Sequence, residues 1–224
     1  MVENPILYED DDFAIADKPH GIPTVPLKVQ SPDGTLLGLV ATFCPSVMSV
    51  SGKNPWEHGA VHRLDTATSG LVIFAKTQEM YDHLQDIQSQ DLFSKTYLAD
   101  TILSDRLKGI DPYFNSMGVA SIKSYFRSYG PGSREVRPVS DIEKADSKIQ
   151  YITHVQKISG SDDLFLCNIT RGFRHQIRAH LAWMGHPIKG DTIYGEGETD
   201  DILSLDCISV SFPLPDGKLF SFNK

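Results

Sequence analysis

The sequence predicts an α+β fold in which a few helices and loops flank a central mixed, mostly antiparallel sheet. Strand-like runs clearly outnumber helix-like runs, which favours this class. The chain has 224 residues, of which 40% are hydrophobic and 22% charged, so it can bury a substantial core. It contains no internal repeat and no low-complexity linker, and we therefore expect one domain over residues 1–224.

The predicted strands are rich in β-branched and aromatic residues and are bounded by turn-forming residues. The last two are separated by residues 213–217, whose two prolines, aspartate and glycine are typical of a hairpin turn. The predicted strands are 13–16, 71–75, 97–103, 121–126, 149–155, 164–169, 208–212 and 218–222.

The predicted helices are 36–43, 78–92 and 175–184. The second and third place apolar residues four and seven positions after a first one, which is the spacing of one helix face. Gly185 and Pro187 follow the third run in the order that ends a helix. The stretch 104–147 mixes glycine, proline and charge, so we expect loops or an insertion there rather than a domain boundary.

Taken alone, the net charge of −8 argues against a nucleic-acid partner, because phosphate binding needs a basic surface. The acidic residues are unevenly placed, however. Segments 1–12 and 196–206 each carry five acidic residues and no lysine or arginine. The remainder is slightly basic and its arginines cluster, so the composition permits an RNA partner without predicting one.

Several classes of protein are excluded. No apolar run approaches the ~18 residues of a membrane span, and the acidic N-terminus does not resemble a signal peptide. The cysteines, Cys44, Cys167 and Cys207, are odd in number and far apart, which predicts neither a disulfide framework nor a metal-binding pair. We therefore expect a cytoplasmic protein without a membrane partner.

Asp65 is the first candidate for a reactive residue. It follows His62, Arg63 and Leu64, and precedes a loop of small polar residues that leads into the strand at 71–75. A loop next to a rigid strand can hold a reactive side chain in place. The alternative is that Asp65 caps a turn or a helix N-terminus.

Arg174 and Arg178 form a second candidate group. They are four residues apart, so we expect them to share one helix face while Ile177 and Leu181 point towards the core. Such a pair could hold phosphates, or one arginine could pair with a carboxylate such as Asp65. The alternative is a solvated face with surface salt bridges.

Two further motifs are weaker on their own. Tyr97, in the sequence Lys95-Thr96-Tyr97, could stack on an unpaired base or be an ordinary strand tyrosine. Lys189 lies in the loop 185–195, whose glycines and proline favour a structural role, although the lysine could contact a phosphate.

A metal site is the least favoured interpretation. His58 and His62 are four residues apart with Asp65 nearby, but Gly59 argues against a helix through them and no zincin glutamate is present. His175 and His180 are five apart and do not share a helix face.

Together these segments resemble the RluA-type pseudouridine synthases. HRLDTATSGLVIFAKT, KTY and RHQIRAHLAWMGHPIKGDTIYG occur in the order and spacing of that family, and ILYEDDDFAIADKPHGIPTVP resembles its first strand and following loop. The resemblance covers nearly the whole chain up to about residue 195 and is weakest between 104 and 147. It implies a pseudouridine synthase-like catalytic domain.

The resemblance implies an enzyme that isomerises uridine to pseudouridine in ribosomal or transfer RNA, without a cofactor or metal. Asp65 matches the essential aspartate, which attacks the ribose or the base and assists cleavage of the glycosidic bond. The uracil then turns and rejoins the ribose through carbon 5. Arg178 would pair with Asp65, and Tyr97 would stack on the uracil and help to move a proton.

The resemblance also implies residues that contact RNA. Arg63 would enter the RNA stack where the target uridine has flipped out, which offsets part of the cost of unstacking. Ile177 would line the base pocket. The remaining candidates for RNA contact are His62, Arg171, Arg174, His175 and Lys189.

The chain departs from the family pattern at two places. Phe173 stands where the family often has an arginine, which puts the phosphate contacts of that loop in doubt. An N-terminal S4-like module is missing, so we expect the catalytic domain itself to select the RNA. We also expect the protein to be a monomer. The alternatives are a non-catalytic RNA-binding or ribosome-assembly protein on the same fold, and a metal-dependent hydrolase. For the enzyme, we expect a local basic cleft around Asp65.

Overall fold

The structure is a computed structural model and describes residues 3–104, 109–195, 197 and 201–224. The chain divides into two compact units, Met1–Phe93 with Asp206–Lys224, and Ser94–Leu205. The expectation of one domain over residues 1–224 stays a prediction.

The first unit contains five strands and two helices among its described residues. The strands are β1 (Ile6–Glu9), β2 (Phe13–Lys18), β3 (Ser69–Ala75), β9 (Leu205–Pro213) and β10 (Leu219–Asn223), and the helices are α1 (Leu36–Phe43) and α2 (Gln78–Ser89). β1 pairs with β2, β2 with β3, and β9 with β10, all antiparallel. β3 and β9 run parallel, so the sheet is mixed.

β3 is buried along almost its whole length and carries the loop that contains Asp65 at its N-terminal end. Gly70, its second residue, has φ +110, and a Cβ there would lie 2.4 Å from backbone atoms of Cys207 in β9. Only glycine allows the two strands to approach so closely. Phe13, Phe212 and Phe220 pack their rings edge-to-face or tilted beside these strands.

The second unit contains five strands and one helix among its described residues. They are β4 (Ser94–Asp100), β5 (Val119–Tyr129), β6 (Glu135–Val139), β7 (Tyr151–Lys157), β8 (Leu164–Ile169) and α3 (Gln176–Trp183). The strand order is β4-β8-β7-β5-β6, and all neighbours are antiparallel. α3 packs against β6 and β7.

His180 fixes α3 on the sheet. It is fully buried, and its two ring nitrogens each lie 2.8 Å from a hydroxyl oxygen, of Ser124 in β5 and of Thr153 in β7. Burial lowers the pKa of His180 to about 3, so the ring is neutral at pH 7. The ring also stacks on Phe126 with centroids 5.0 Å apart.

The predicted α+β class with a mixed, mostly antiparallel arrangement is confirmed, but the bounds of several elements differ. β4 begins at Ser94 rather than at residue 97, because the alternation of buried side chains already starts at Lys95. β1 has only four residues and was not predicted. In stretch 104–147 the predicted strand 121–126 is the longer β5, and β6 follows it where no strand was predicted. Pro138 hides β6 from sequence patterns and is tolerated because β6 is the last strand of its sheet.

Candidate active site

Asp65 lies in a tight loop between the buried segment 60–61 and β3. Its carbonyl accepts a hydrogen bond from Thr68 N–H at 3.0 Å, and its side chain is half-buried. The segment before it forms a bridge in which Ala60 pairs with Phe74 of β3. Asp65 is therefore held at the end of a rigid strand, as the sequence predicts for a reactive residue.

The loop after β2 clamps the Asp65 loop from the other side. The Lys18 ammonium and the Gly21 N–H both donate to the carbonyl of Thr66, at 3.1 and 2.9 Å. The Thr24 hydroxyl donates to the Leu64 carbonyl and accepts from the Leu64 N–H, both at 3.0 Å. The two motifs that are separate in the sequence thus form one hydrogen-bonded structure.

Lys18 is fully buried next to Asp65. Besides Thr66, its ammonium donates to the carbonyls of Pro19 and Ile22, at 2.9 and 2.7 Å. Burial lowers the pKa of Lys18 to about 8, although the negative charge of Asp65 acts in the opposite direction. Sequence patterns did not single out Lys18, because a lysine at a strand end is usually exposed.

Arg63 forms an ion pair with Glu57, with 2.8 Å between Nη1 and Oε1. The Arg63 side chain is 57% exposed, whereas that of Glu57 is only 9% exposed and also accepts the Asn54 N–H. The guanidinium of Arg63 is therefore exposed to solvent, while its partner, the Glu57 carboxylate, is buried. His62 is half-buried, and its ring centroid lies 5.5 Å from that of Phe93, so the His62 ring packs against the hydrophobic core.

Tyr97 lies in the middle of β4 and is 5% exposed. Lys95 and Ala99 share its buried face, since alternate residues of a strand point to the same side. Tyr97 pairs with Cys167 of β8 in the antiparallel ladder. The strand thus holds the tyrosine rigidly, and its stacking on a uracil stays a prediction.

Arg178 is buried in α3 and makes a bidentate ion pair with Asp191. Nε lies 2.8 Å from Oδ2 and Nη2 lies 2.7 Å from Oδ1. Asp191 also accepts the backbone N–H groups of Ile193 and Tyr194. Burial alone raises the pKa of Asp191, but the hydrogen bonds and charge of Arg178 outweigh it and hold the pKa below its usual value.

The predicted shared helix face of Arg174 and Arg178 is wrong. α3 begins only at Gln176, because His175 before it adopts a left-handed backbone with φ 56. Arg174 is exposed, and its guanidinium donates to the carbonyls of Ser133 and Glu135.

The other candidates in this unit have mixed surroundings. Arg171 and His175 are half-buried, and Ile177 is 5% exposed on α3. The ammonium of Lys189 lies 2.7 Å from a carboxylate oxygen of Asp100, in a pair with both side chains exposed. Contact of these residues with RNA stays a prediction.

Within the first unit the structure brings Asp65, Lys18 and the Arg63–Glu57 pair to one region. Within the second it supports Tyr97 and Arg178 on a strand and a helix. Asp191 was missed as a partner of Arg178, although an aspartate in a rigid glycine-bounded loop was the available signal. The pairing of Arg178 with Asp65 and the basic cleft stay predictions. Of the acidic segment 196–206, Glu196, Glu198 and Asp200 lie outside the described residues.

The described residues contain no group of three or more histidine, cysteine or carboxylate side chains placed to hold a metal ion. In the same part of the chain, no helix combines the length and the apolar character needed to cross a membrane. The three cysteines are buried and unbridged.

Among the solved structures that resemble this one are two human proteins. Human RNA pseudouridylate synthase domain containing 1 superposes with a TM-score of 0.71 at 18% identity, covering 100% of this chain and 83% of the human chain. Human RNA pseudouridylate synthase domain containing 4 gives a TM-score of 0.66 at 18% identity, covering 98% and 87%. At this level of identity the likeness concerns the fold.

Curated relatives are more similar in sequence. The uncharacterized RNA pseudouridine synthase YhcT of Bacillus subtilis is 31% identical over 195 residues, which are 87% of this chain and 59% of the relative. Ribosomal large subunit pseudouridine synthase D of Xylella fastidiosa is 29% identical over 208 residues, 89% of this chain and 56% of the relative. The chain therefore spans less than two thirds of the length of these relatives.

The family model described as RNA pseudouridylate synthase matches residues 12–183, which include the Asp65 loop, Tyr97 and Arg178. The match covers most of the chain and contains both the clamp around Asp65 and the strand and helix that carry the other two residues. On this evidence the chain belongs to the RNA pseudouridylate synthase family.

Proposed function

We propose that this protein isomerises uridine to pseudouridine within RNA and that Asp65 is its essential catalytic residue. The position of Asp65 carries the proposal. It lies inside the region matched by the family model, at the end of a buried strand. Its loop is fixed by hydrogen bonds from Lys18, Gly21 and Thr24. Such rigidity is what a nucleophile needs to meet its target at a fixed distance.

The reaction exchanges one bond to the ribose for another. The Asp65 carboxylate attacks the ribose or the uracil, and the bond between N1 and C1′ breaks. The freed uracil turns, C5 forms the new bond to C1′, and the bond to the Asp65 carboxylate breaks, which restores the free carboxylate. The hydrogen of C5 leaves as a proton and N1 gains one, so the reaction is a net isomerisation that consumes no co-reactant.

Tyr97 and Arg178 have supporting roles in this proposal. The nearly buried Tyr97 presents an aromatic ring for stacking on the uracil, as aromatic side chains do with unpaired bases. Arg178 contributes positive charge, with its guanidinium oriented by the two oxygens of Asp191. Its pairing with the Asp65 carboxylate, which the family resemblance implies, belongs to the proposal.

The RNA is bound around this site by exposed basic side chains. Arg63 is the strongest candidate, because it projects into solvent close in sequence to Asp65. In the second unit the corresponding candidate for RNA contact is Arg174, which is also exposed. Ribosomal or transfer RNA as substrate, a cytoplasmic location and a monomeric state are part of the proposal. The three unbridged cysteines support the location.

Tritium release tests the reaction directly. RNA labelled with [5-³H]uridine, isolated from cells that lack this gene, should release tritium to water on incubation with the protein. Asp65→Asn, which keeps the side-chain shape, should abolish release. Asp216→Asn is the matched control, because Asp216 is an exposed carboxylate paired with Lys218 in a surface turn.

The outcomes separate the alternatives. Release that persists in Asp65→Asn at the wild-type rate would contradict the assignment of Asp65. Tight binding of the same RNA by the wild type with no tritium release and no new pseudouridine would instead favour a non-catalytic RNA-binding protein.

A further inference from the structure

The hairpin formed by β5 and β6 places two arginines directly opposite each other. In the antiparallel register Arg127 pairs with Arg137, so both side chains point to the same face of the sheet. The opposite face carries Phe126 and Val136, which are buried under α3. The arginines are therefore on the outer face, where both are exposed.

This arrangement carries an energetic cost. Like charges on directly opposed strand positions destabilise the ladder, since their Cβ atoms are only about 5 Å apart. Glu135 compensates weakly, because its carboxylate lies 3.6 Å from Arg137 in an exposed pair. Asp146 lies near Arg127, but its carboxylate accepts the Ser128 N–H. An anion bound between the two guanidinium groups would convert the repulsion into attraction.

Tyr129 adds an aromatic surface to the same face. Its ring is 38% exposed, and the guanidinium carbon of Arg137 lies 3.2 Å from the ring centroid. The guanidinium of Arg127 approaches the same ring at 5.9 Å. The contact restrains the Arg137 guanidinium on the ring before any ligand arrives. Cationic groups interleaved with an aromatic ring are the elements that bind single-stranded nucleic acid, through phosphates and stacked bases.

The hairpin is also packed firmly on the rest of its unit. Phe126 stacks on Phe173 with centroids 4.8 Å apart and an interplanar angle of 7°. Arg174 donates to two carbonyls at the tip of the hairpin. The residue that departs from the family pattern, Phe173, thus supports the hairpin from below. The hairpin can hold a ligand without first becoming ordered.

We infer that the outer face of this hairpin, defined by Lys123, Arg127, Tyr129 and Arg137, is a docking surface for single-stranded RNA. Between Val119 and Val139 the chain has four basic residues and one acidic residue, whereas the whole protein has a net charge of −8. A local excess of positive charge on an acidic protein matches a polyanion. The inference rests on the proposed function for the identity of its RNA.

Fluorescence anisotropy with a fluorescein-labelled 20-nucleotide oligouridylate tests the surface. Arg127→Gln and Arg137→Gln should each weaken binding about 5- to 10-fold in 100 mM KCl. The double variant should lower the slope of log affinity against log salt by about 1.4, which corresponds to two lost phosphate contacts. Tyr129→Leu should also weaken binding, with an unchanged slope, because a base loses its stacking partner.

Matched controls exclude a general effect. Lys218→Gln removes one exposed positive charge from the turn between β9 and β10 and should change affinity less than about twofold. The double arginine variant should unfold at the wild-type temperature or higher, because it removes a like-charge pair. Wild-type affinity and slope in the double variant would overturn the inference. It would also be overturned if the double variant kept oligouridylate binding but lost binding of a labelled decaglutamate, which would indicate an acidic protein partner.

Tritium release separates this inference from the proposed reaction. The double variant should release tritium at the wild-type kcat with a raised KM, whereas Asp65→Asn should bind oligouridylate normally and release none. A double variant with lower kcat and unchanged KM would overturn the docking role. If the wild type released no tritium while the arginine variants lost binding, the docking surface would stand and the proposed reaction would fail.

Discussion

Replacing Asp191 should destabilise the protein strongly, because it removes one partner of a buried ion pair. The side chain of Arg178 is 5% exposed and that of Asp191 is fully buried. Asp191→Ala leaves the guanidinium buried without this carboxylate, and the N–H groups of Ile193 and Tyr194 lose an acceptor. Breaking such a pair from one side costs about 3–5 kcal/mol, a large fraction of the typical free energy of unfolding.

Acid sensitivity gives a second measure of the same pair. The pKa of Asp191 in the folded protein lies below its unfolded value of about 3.9, because the charge and hydrogen bonds of Arg178 outweigh burial. The carboxylate therefore stabilises the fold above the unfolded pKa, and this stabilisation is lost as pH falls from about 5 through the folded pKa. Asp191→Asn cannot titrate, so its stability should fall less over this range.

Urea unfolding monitored by circular dichroism between pH 3 and pH 7 measures both effects. At pH 7, Asp191→Ala should lose about 3–5 kcal/mol, and Asp191→Asn, which keeps the shape and one acceptor oxygen, should lose less. A loss below about 1 kcal/mol in Asp191→Ala would refute the reasoning, because the pair would then not be acting as a buried one. An unchanged acid limb in Asp191→Asn would refute the pKa argument.

Three further predictions concern the first unit. The buried Lys18 has a pKa of about 8, so it loses its proton at a lower pH in the folded protein than in the unfolded chain. The free energy of unfolding should therefore rise by up to about 3 kcal/mol between pH 8 and pH 10.4. Urea titrations of Lys18→Met should lack this rise. Glu57→Gln should change the free energy of unfolding by less than about 1 kcal/mol and raise the affinity for oligouridylate, because Arg63 no longer has to leave a carboxylate before it binds RNA. Arg63→Gln should lower that affinity. Equal affinities of the two variants in fluorescence anisotropy would contradict a role of Arg63 in RNA binding. Gly70→Ala should cost about 3 kcal/mol in calorimetry, because its Cβ would meet the β9 backbone, whereas Gly217→Ala, also at positive φ but in open space, should cost about 1.

Local patterns predicted the helices well because capping and periodicity act within a few residues. α1 was predicted over its observed range, where Thr35 caps it by accepting the Gly38 N–H. α2 ends three residues earlier than predicted, at Ser89, and Asp91 just beyond it adopts a positive φ of 60. A backbone that leaves the helical region this close to the end is hard to read from apolar spacing alone.

Long-range partners could not be predicted, since they depend on how the chain returns to itself. The pairing of Arg178 with Asp65 stays a prediction, and no spacing rule indicated that Asp191 accepts hydrogen bonds from two donors of Arg178. Glu57 and Lys18 look like surface residues in the sequence and are buried in the fold. The Lys18 ammonium is surrounded by backbone carbonyls, and the Glu57 carboxylate contacts a backbone amide and Arg63. Side-chain burial of this kind is a property of the assembled loops.

The first unit is discontinuous in the chain, and this has a consequence for its synthesis. β9 and β10 are made after the rest of this unit, yet β9 pairs with β3, and Phe212 and Phe220 pack against Phe13. At ordinary rates of translation, tens of seconds or less separate emergence of β3 from emergence of β9. During that interval the nascent N-terminal segment exposes an unpaired strand edge and aromatic side chains. Ribosome-associated chaperones would find a binding surface here, and removal of β9 and β10 would make that exposure permanent.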